Sequence, residues 1–423
     1  MNKLKILSLF SGVGAFEKSL TNIGKSYELV NYCEIDKYAA TAYSAIHNVS
    51  EDLNLGDITK IDIQSLSGDI DIITHGSPCQ SFSISGKQEG GDEGSGTRSS
   101  LMWNTVEIIK HTKPKYVLWE NVPNVLSDAH KHNYNKYIDT LDKIGYQNYS
   151  QLINAKYWGV PQNRKRIFVV SIRKDIDNGF NFPISSLEGQ ISLFNDMIEM
   201  EETILRDVLE DEVDEKYYLS DEALEYMNRK VEDGRTHWDF GLHHEADKPS
   251  HAIVANIRKG VPYNVVKIPI KGTYNQNEGF KEKNNFDTLD ASYYKGLGCN
   301  QDRNAVLELQ QIGDNSIEDE PKIYQKPRGY NKGGLKDICP TISINSWEHN
   351  NYLISGCKIR RLTPLECFRL MGFDDEDYYK ARKVLEEKYY NGSDRSDSQC
   401  YKMAGNSIVV PVLEYIFKAL FHL

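Results

Sequence analysis

"LKILSLFSGVGAFEKSLTNIG", residues 4–24, changes its period halfway. Leu4 to Phe10 is a largely apolar run of the kind that makes a buried strand. Beyond the glycines, Phe16, Leu20 and Ile23 recur at helical spacing, and Gly24 supplies a stop. A strand, a glycine turn and a helix in that order open an α/β fold. The alternation continues outward. "YELVNYCEID" (27–36), "DIDIITHGSP" (69–78), "KYVLWENVP" (115–123) and "RIFVVSIR" (166–173) read as strands. "KYAATAYSAIHN" (37–48), "LMWNTVEIIKHTKP" (101–114) and "YNKYIDTLDKIG" (134–145) read as helices. Such alternation predicts a mainly parallel sheet covered on both faces, with ligands beyond the carboxyl ends of its strands. "SGVGA", "CEID", "GSPCQ" and "ENV" all fall at such ends.

The pattern changes between about residues 175 and 358. "EMEETILRDVLEDEVDE" (199–215) reads as an acidic helical stretch, and short β-like runs rich in Gly, Asn and Tyr follow. "SHAIVANIRKG", "FDTLDASYYKG" and "CPTISINSWEHN" echo one another and read either as similar hairpin units or as ordinary β composition. Apolar order returns in "IRRLTPLECFRLMGF" (359–373), where Thr363, Pro364 and Glu366 make a helix start with a capping box. In "GNSIVVPVLEYIFKALFHL" (405–423), Ser407 is placed to cap a helix striped by Ile408, Val412, Ile416 and Leu420.

Composition sets outer bounds. The 423 residues suffice for two domains, and no run approaches the roughly 18 apolar residues of a membrane span. Seven cysteines without CxxC spacing argue against a disulfide framework and a structural zinc site, and make a reducing cytoplasm the simplest location. "HHEADKPSH" (243–251) has no accompanying ligand pattern, so no metal is expected. The net charge of −11 disfavours nucleic acid only as an average, because a cleft can be basic locally.

The polar strand ends carry the chemistry. "FSGVGAFE" lacks the third glycine of a dinucleotide fingerprint, which disfavours NAD. Glu34, about twenty residues beyond Gly14, is placed to accept from ribose hydroxyls. Asp57 is placed to accept from an adenine amino group. This combination suits a nucleoside ligand such as S-adenosylmethionine; a tight turn with two surface carboxylates remains the alternative. Cys79 sits in a polar turn at a strand end before a flexible Gly/Ser/Gln stretch, as a thiolate nucleophile would. The other six cysteines read as small buried hydrophobes. Glu120 ends the next strand, where a carboxyl meets a ring nitrogen and an amino group together. Arg164 and Arg166 alternate onto one face before a strand.

Taken together, "FSGVGAFE", "CEID", "GDIT", "GSPCQSFSISGKQ", "ENV", "QNRKRIF", "RRLTPLECFRLMGF" and "GNSIVVPVL" resemble the DNA (cytosine-5)-methyltransferase family of the bacterial restriction–modification or phage type, in the family's order. The motifs span nearly the whole chain outside 175–358. Ala15 departs from the second glycine of many members, and "EGGDEGSGTR" (89–98) lengthens the loop after Cys79. The resemblance implies a Rossmann-like S-adenosylmethionine-dependent methyltransferase fold with a second, smaller β-rich DNA-recognition domain. Residues 1–174, completed by 396–423, would form the catalytic domain. Residues 175–395 would form the smaller one, with its base-reading part at roughly 230–345 and the duplex in the cleft between.

By the same resemblance Cys79, followed by Gln80, attacks carbon 6 of a cytosine taken out of the stack, which makes carbon 5 nucleophilic. Glu120 holds N3 and the amino group, Arg164 binds O2, Arg166 places the loop and Glu120, and Ser85 enters the duplex. Phe10, Ser11, Gly12, Gly14, Glu34, Ile35, Asp57, Ile58, Pro78, Leu101, Asn406 and Ser407 line the S-adenosylmethionine site, with S-adenosylhomocysteine as product. Arg258, Lys259, Lys295, Arg303, Arg328 and Lys332 are the candidates for base and phosphate contacts. Double-stranded DNA is the expected partner, with a cognate restriction endonuclease as a second, for a monomer in a bacterial cytoplasm. A tRNA cytosine-5 methyltransferase is disfavoured by the about 180 residues between "QNRKR" and "RRLTP", and an inactive DNA-binding regulator by the intact Cys79, Glu120 and cofactor carboxylates.

Overall fold

The computed structural model describes residues 3–66, 68–78, 82, 90–188, 197–201, 203–217 and 362–423, with the backbone of short strands between 242 and 361. Its contacts divide the chain into two compact units: Met1–Val213 with Asp247–Asn264 and Leu362–Leu423, and Asp214–Ala246 with Val265–Arg361.

The first unit is built on a six-stranded sheet. Its strands are β1 (Leu4–Leu9), β2 (Tyr27–Cys33), β3 (Ile72–His75), β4 (Tyr116–Asn121), β5 (Tyr146–Asn154) and β7 (Lys165–Arg173), in the order β2-β1-β3-β4-β7-β5. A short β6 (Gln162–Asn163) precedes β7 and pairs with Ser250–His251. β1 to β4 are parallel, and β7 runs antiparallel to both β4 and β5. The strand period of two sorts the core. Leu7, Leu9, Ile73, Val117, Trp119, Ile167 and Val169 pack with α3 (Met102–Thr112) and α4 (Lys131–Lys143). Alternate residues such as Ile6, Ser8, Leu118 and Phe168 are buried on the other face, where α1 (Ala15–Asn22) meets α8 (Val410–Phe421). α8 buries Val410, Val412, Leu413, Ile416, Phe417 and Leu420, each worth about 1.5–3 kcal/mol of transfer free energy.

α2 (Lys37–His47) joins β2 to the loop before β3. After the short strand Ile359–Arg361 come α5 (Pro364–Leu370), α6 (Asp375–Tyr389) and α7 (Asp397–Asn406). The chain's contacts divide elsewhere than the expected boundary at 395/396. α6 lies on α2, with Tyr38 and Tyr389 rings 4.7 Å apart and Lys388 paired to Glu51. Lys18 of α1 pairs with Asp377 at 2.8 Å, and Gln162 donates to the Leu370 carbonyl. Residues 362–395 therefore belong with the sheet.

Among the described residues of 199–215, the expected acidic helix is not formed. Residues 203–210 run as an extended strap with one tight turn, Leu205–Val208, because tertiary partners take its backbone groups. Arg369 donates to the Val208 carbonyl, and the Glu210 amide donates to the buried Glu366 carboxylate. The Thr363–Glu366 capping box with Pro364 at the first helical position is present. Ser407 instead closes α7, and α8 starts after Val409. Asp397–Phe421 has the length and apolarity of a membrane span, but it is divided at 407–409 and mostly buried.

In the second unit, Gly272–Asn275 pairs antiparallel with both Gly279–Lys281 and Arg303–Ala305. Lys322–Gln325 pairs in the same way with Gly334–Lys336 and Tyr352–Ile354. Each set thus places its first strand between the next two. Of the echoing sequences only Ser250–His251 falls among the described residues.

Candidate active site

The glycine turn is held in left-handed backbone. Phe10, Gly12 and Gly14 have φ of 52°, 57° and 82°, a region that is strained for a bulky residue such as Phe10. Its ring rests against the core, which keeps the backbone in place. A Cβ on Gly12 would meet nothing within 4 Å, so open space lies over the turn. The Gly12 amide donates to Glu34 Oε2 at 2.9 Å, and the Asp36 amide donates to Oε1 at 2.8 Å. Each carboxylate oxygen keeps a lone pair for a ligand hydroxyl. Burial raises the Glu34 pKa against those two amides. Ile35 stands 74% exposed beside it, an apolar surface suited to a flat ring. This turn, acceptor and apolar face fit the nucleoside half of S-adenosylmethionine.

Asp57 caps the turn Ile58–Lys60, and its two hydrogen bonds from Thr59 lower its pKa. Sequence reasoning missed Asn54. Its Oδ1 accepts from the Glu34 and Gly56 amides and its Nδ2 donates to the Glu34 carbonyl, so it fastens the Glu34 loop to the Asp57 loop. An Asn two residues before a Gly-Asp turn was the available signal. Ser11 is buried against the Cys33 carbonyl, Ile58 is buried, and Leu101 borders the core at the start of α3. Asn406 is exposed and Ser407 buried at the α7–α8 junction.

At the end of β4, Glu120 is 8% exposed, and Arg166 Nε on β7 lies 2.9 Å from its Oε1. Burial raises the Glu120 pKa, with Arg166 and then Arg164 opposing it. Glu120 Oε2 faces Gly76, where a Cβ would lie 3.6 Å away. The chain leading to Cys79 thus runs against this carboxyl. Ser77 fixes that run: Trp119 Nε1 donates to its hydroxyl, and Asn121 Nδ2 donates to both its hydroxyl and its carbonyl. Pro78 follows, half-buried. Arg164, expected at the cytosine O2, makes contacts of its own within the chain. It is 4% exposed, and its Nη2 donates to the carbonyls of Gly405 at 3.3 Å and Ser407 at 2.8 Å. Arg166 is the guanidinium on the Glu120 carboxylate, while Arg164 binds the α7–α8 junction.

Cys79, Gln80 and Ser85 lie outside the described residues, as do Arg258, Lys259, Lys295, Arg328 and Lys332. Arg303 is placed as backbone, on the strand Arg303–Ala305. Three other cysteines are poor nucleophiles. Burial pushes the Cys33 and Cys400 thiols up to about 12 and raises Cys367 well above its usual value.

A parallel-centred sheet with an antiparallel strand next to β4, a glycine turn and a ribose-type acceptor define the class: a Rossmann-like methyltransferase. Residues 4–422 match the C-5 cytosine-specific DNA methylase family. The chain is 35% identical to the orphan methyltransferase M.SPRI of Bacillus phage SPR, covering 100% of this chain and 98% of that protein. It is 28% identical to the type II methyltransferase M2.ScrFI of Lactococcus lactis subsp. cremoris, covering 99% of each. The crystal structure of the S. pombe Dnmt2 methyltransferase superposes with a TM-score of 0.55 at 16% identity, covering 100% of this chain and 99% of that one. The chain belongs to the C-5 cytosine-specific DNA methylase family. It is a DNA cytosine methyltransferase that uses S-adenosylmethionine, and the tRNA-modifying and inactive-regulator alternatives are disfavoured.

Proposed function

We propose that the chain methylates a cytosine swung out of a specific duplex sequence, with Cys79 as the covalent nucleophile. The supporting observation is the buried Glu120–Arg166 pair, set against the chain that leads into Cys79. The Cys79 thiolate adds to carbon 6 while Glu120 hydrogen-bonds N3, and the displaced electron pair becomes available at carbon 5. Arg166 occupies Glu120 Oε1, which leaves Oε2 for the base. Burial favours the protonated carboxyl, the form able to donate to N3. S-adenosylmethionine supplies an electrophilic methyl group when bound, and Gly12, Glu34, Ile35 and Asp57 hold its nucleoside. Loss of the carbon-5 proton then restores the ring and expels Cys79. Arg164 is the candidate for the cytosine O2, and its bonds to the Gly405 and Ser407 carbonyls also secure the backbone on either side of Asn406.

Residues 230–345 read bases in this proposal, with Arg303 and the five other basic candidates divided between base and phosphate contacts. The setting is a bacterial cytoplasm, in a restriction–modification system with an endonuclease of the same specificity or in a phage, and the enzyme acts as a monomer. Bisulfite sequencing of DNA from a methylation-free strain expressing the protein would give the target. A duplex carrying 5-fluorocytosine at that target should then form a cofactor-dependent covalent complex, because fluorine cannot leave as a proton. The complex should vanish in Cys79→Ala. A proven target that gives no complex would refute the Cys79 adduct.

A further inference from the structure

α2 reaches the cofactor region twice. Its N-terminal end begins just after Glu34 and Ile35, and its last residue is His47. The His47 ring lies under the glycine turn, with Nε2 3.0 Å from the Val13 carbonyl. A carbonyl only accepts, so Nε2 carries the proton. Val13 is the residue between Gly12 and Gly14. The Gly12 amide, one residue earlier in the same turn, is the donor to Glu34 Oε2.

A second observation comes from the other side of the turn. A Cβ built on Gly14 would lie 2.0 Å from His47 Nε2 and 2.8 Å from Tyr43 Cε2. The imidazole therefore occupies the space that a side chain at position 14 would need. Tyr43 backs it, with ring centroids 4.7 Å apart. From these contacts we infer that His47 is a positioning residue for the cofactor. By gripping the Val13 carbonyl, it holds the Gly12–Gly14 turn in the conformation that receives S-adenosylmethionine.

The imidazole's chemistry agrees with that role. Burial lowers its pKa to about 4; the Val13 carbonyl and Asp377 raise it, while Lys18 and Lys380 lower it further. Asp377 belongs to α6 and is paired with Lys18 of α1, so the charges facing the ring from those elements largely offset each other. With burial holding its pKa at about 4, His47 is a neutral, single-proton donor near neutral pH. A charged imidazole would instead have two donors facing one carbonyl.

The inference rests on the reading of this turn as the cofactor site, and the test separates the two. His47→Phe keeps a flat aromatic ring, somewhat larger, against Tyr43 but cannot donate. His47→Gln can present an amide N–H at nearly the same place. Affinity for S-adenosylhomocysteine is measured by calorimetry on the full chain, alongside the KM for S-adenosylmethionine, kcat and unliganded melting temperature. The Phe variant should bind roughly 3- to 10-fold more weakly, the range spanned by one neutral hydrogen bond. Its kcat at saturating cofactor should be unchanged, and the Gln variant should recover most of the affinity. Nitrogen NMR should show an Nε2–H tautomer that does not titrate between pH 5 and 8. Wild-type affinity in the Phe variant would overturn the inference, as would equal loss in both variants alongside lowered melting temperatures. Failure of the wild-type protein to bind at all would overturn the cofactor reading itself.

Discussion

Replacing Arg164 with Met tests whether one guanidinium closes the catalytic unit. Methionine keeps an unbranched apolar stem and removes the donors. The Ser407 carbonyl loses a bond of 2.8 Å and the Gly405 carbonyl a weaker one of 3.3 Å. Hydrogen bonds to charged groups contribute about 1.5–3 kcal/mol each. Counting the shorter in full and the longer at a fraction gives a loss of about 2–4 kcal/mol. At roughly 2 °C per kcal/mol for a larger chain, the melting temperature should fall by about 4–8 °C. The loss should be local. Amide exchange should quicken at residues 405–412 before it does so in β1, β3 or β4, and affinity for S-adenosylhomocysteine should fall in step. Scanning fluorimetry, exchange mass spectrometry and calorimetry would make these measurements. An unchanged melting temperature with unchanged exchange at 405–412 would refute the assignment of Arg164 as the tie between the start of β7 and the α7–α8 junction.

Glu17 should set part of the pH dependence of stability. It is fully buried, and desolvation raises its pKa against the nearby Ser8 and Tyr43 hydroxyls. A group whose folded pKa is raised contributes stability below its unfolded pKa, near 4.3, and loses it as pH rises through the folded value. Glu17→Gln should therefore gain on the wild type in melting temperature from pH 5 upward; parallel curves would count against this. Gly14→Ala should weaken S-adenosylhomocysteine binding and cost about 1–3 kcal/mol, since φ is 82° and the Cβ position is filled by His47. Calorimetry and denaturant titration measure the two effects, and wild-type values in both would refute them. Cys33, Cys367 and Cys400 should resist iodoacetamide in the native protein, and peptide mass mapping that found them labelled would contradict their burial.

The fold was legible where one local signal agreed with its surroundings. The change of period at Leu4–Gly24 reads directly as β1, turn and α1, and Thr363-Pro364-x-Glu366 encodes a helix start in four residues. β5 was not foreseen. "YQNYSQLIN" is an edge strand with mixed exposure, so its alternation is weak. The 199–215 stretch has helical composition, but Arg369 and Glu366, more than 150 positions away, claim its backbone groups. In the candidate site, Glu34 and Glu120 were readable because acids at strand ends are hard to explain by packing. Asn54 and His47 were not, because each acts through a backbone group that has no side-chain signature. The division of labour between Arg164 and Arg166 needed the α7–α8 junction to be in place.

The contact between α1 and α8 also has a direction in time. Asn22 Nδ2 donates to Glu414 Oε1 at 2.7 Å across 392 positions of chain. At roughly 5–20 residues per second, a ribosome delivers Glu414 about 20–80 s after Asn22. During that interval the face of α1 that meets α8 has no α8 to cover it. The junction that Arg164 grips cannot form until residues 405–407 have been made, so shorter nascent or prematurely released chains lack it. Such chains lack Asn406 and Ser407 and should bind S-adenosylhomocysteine more weakly than the full chain.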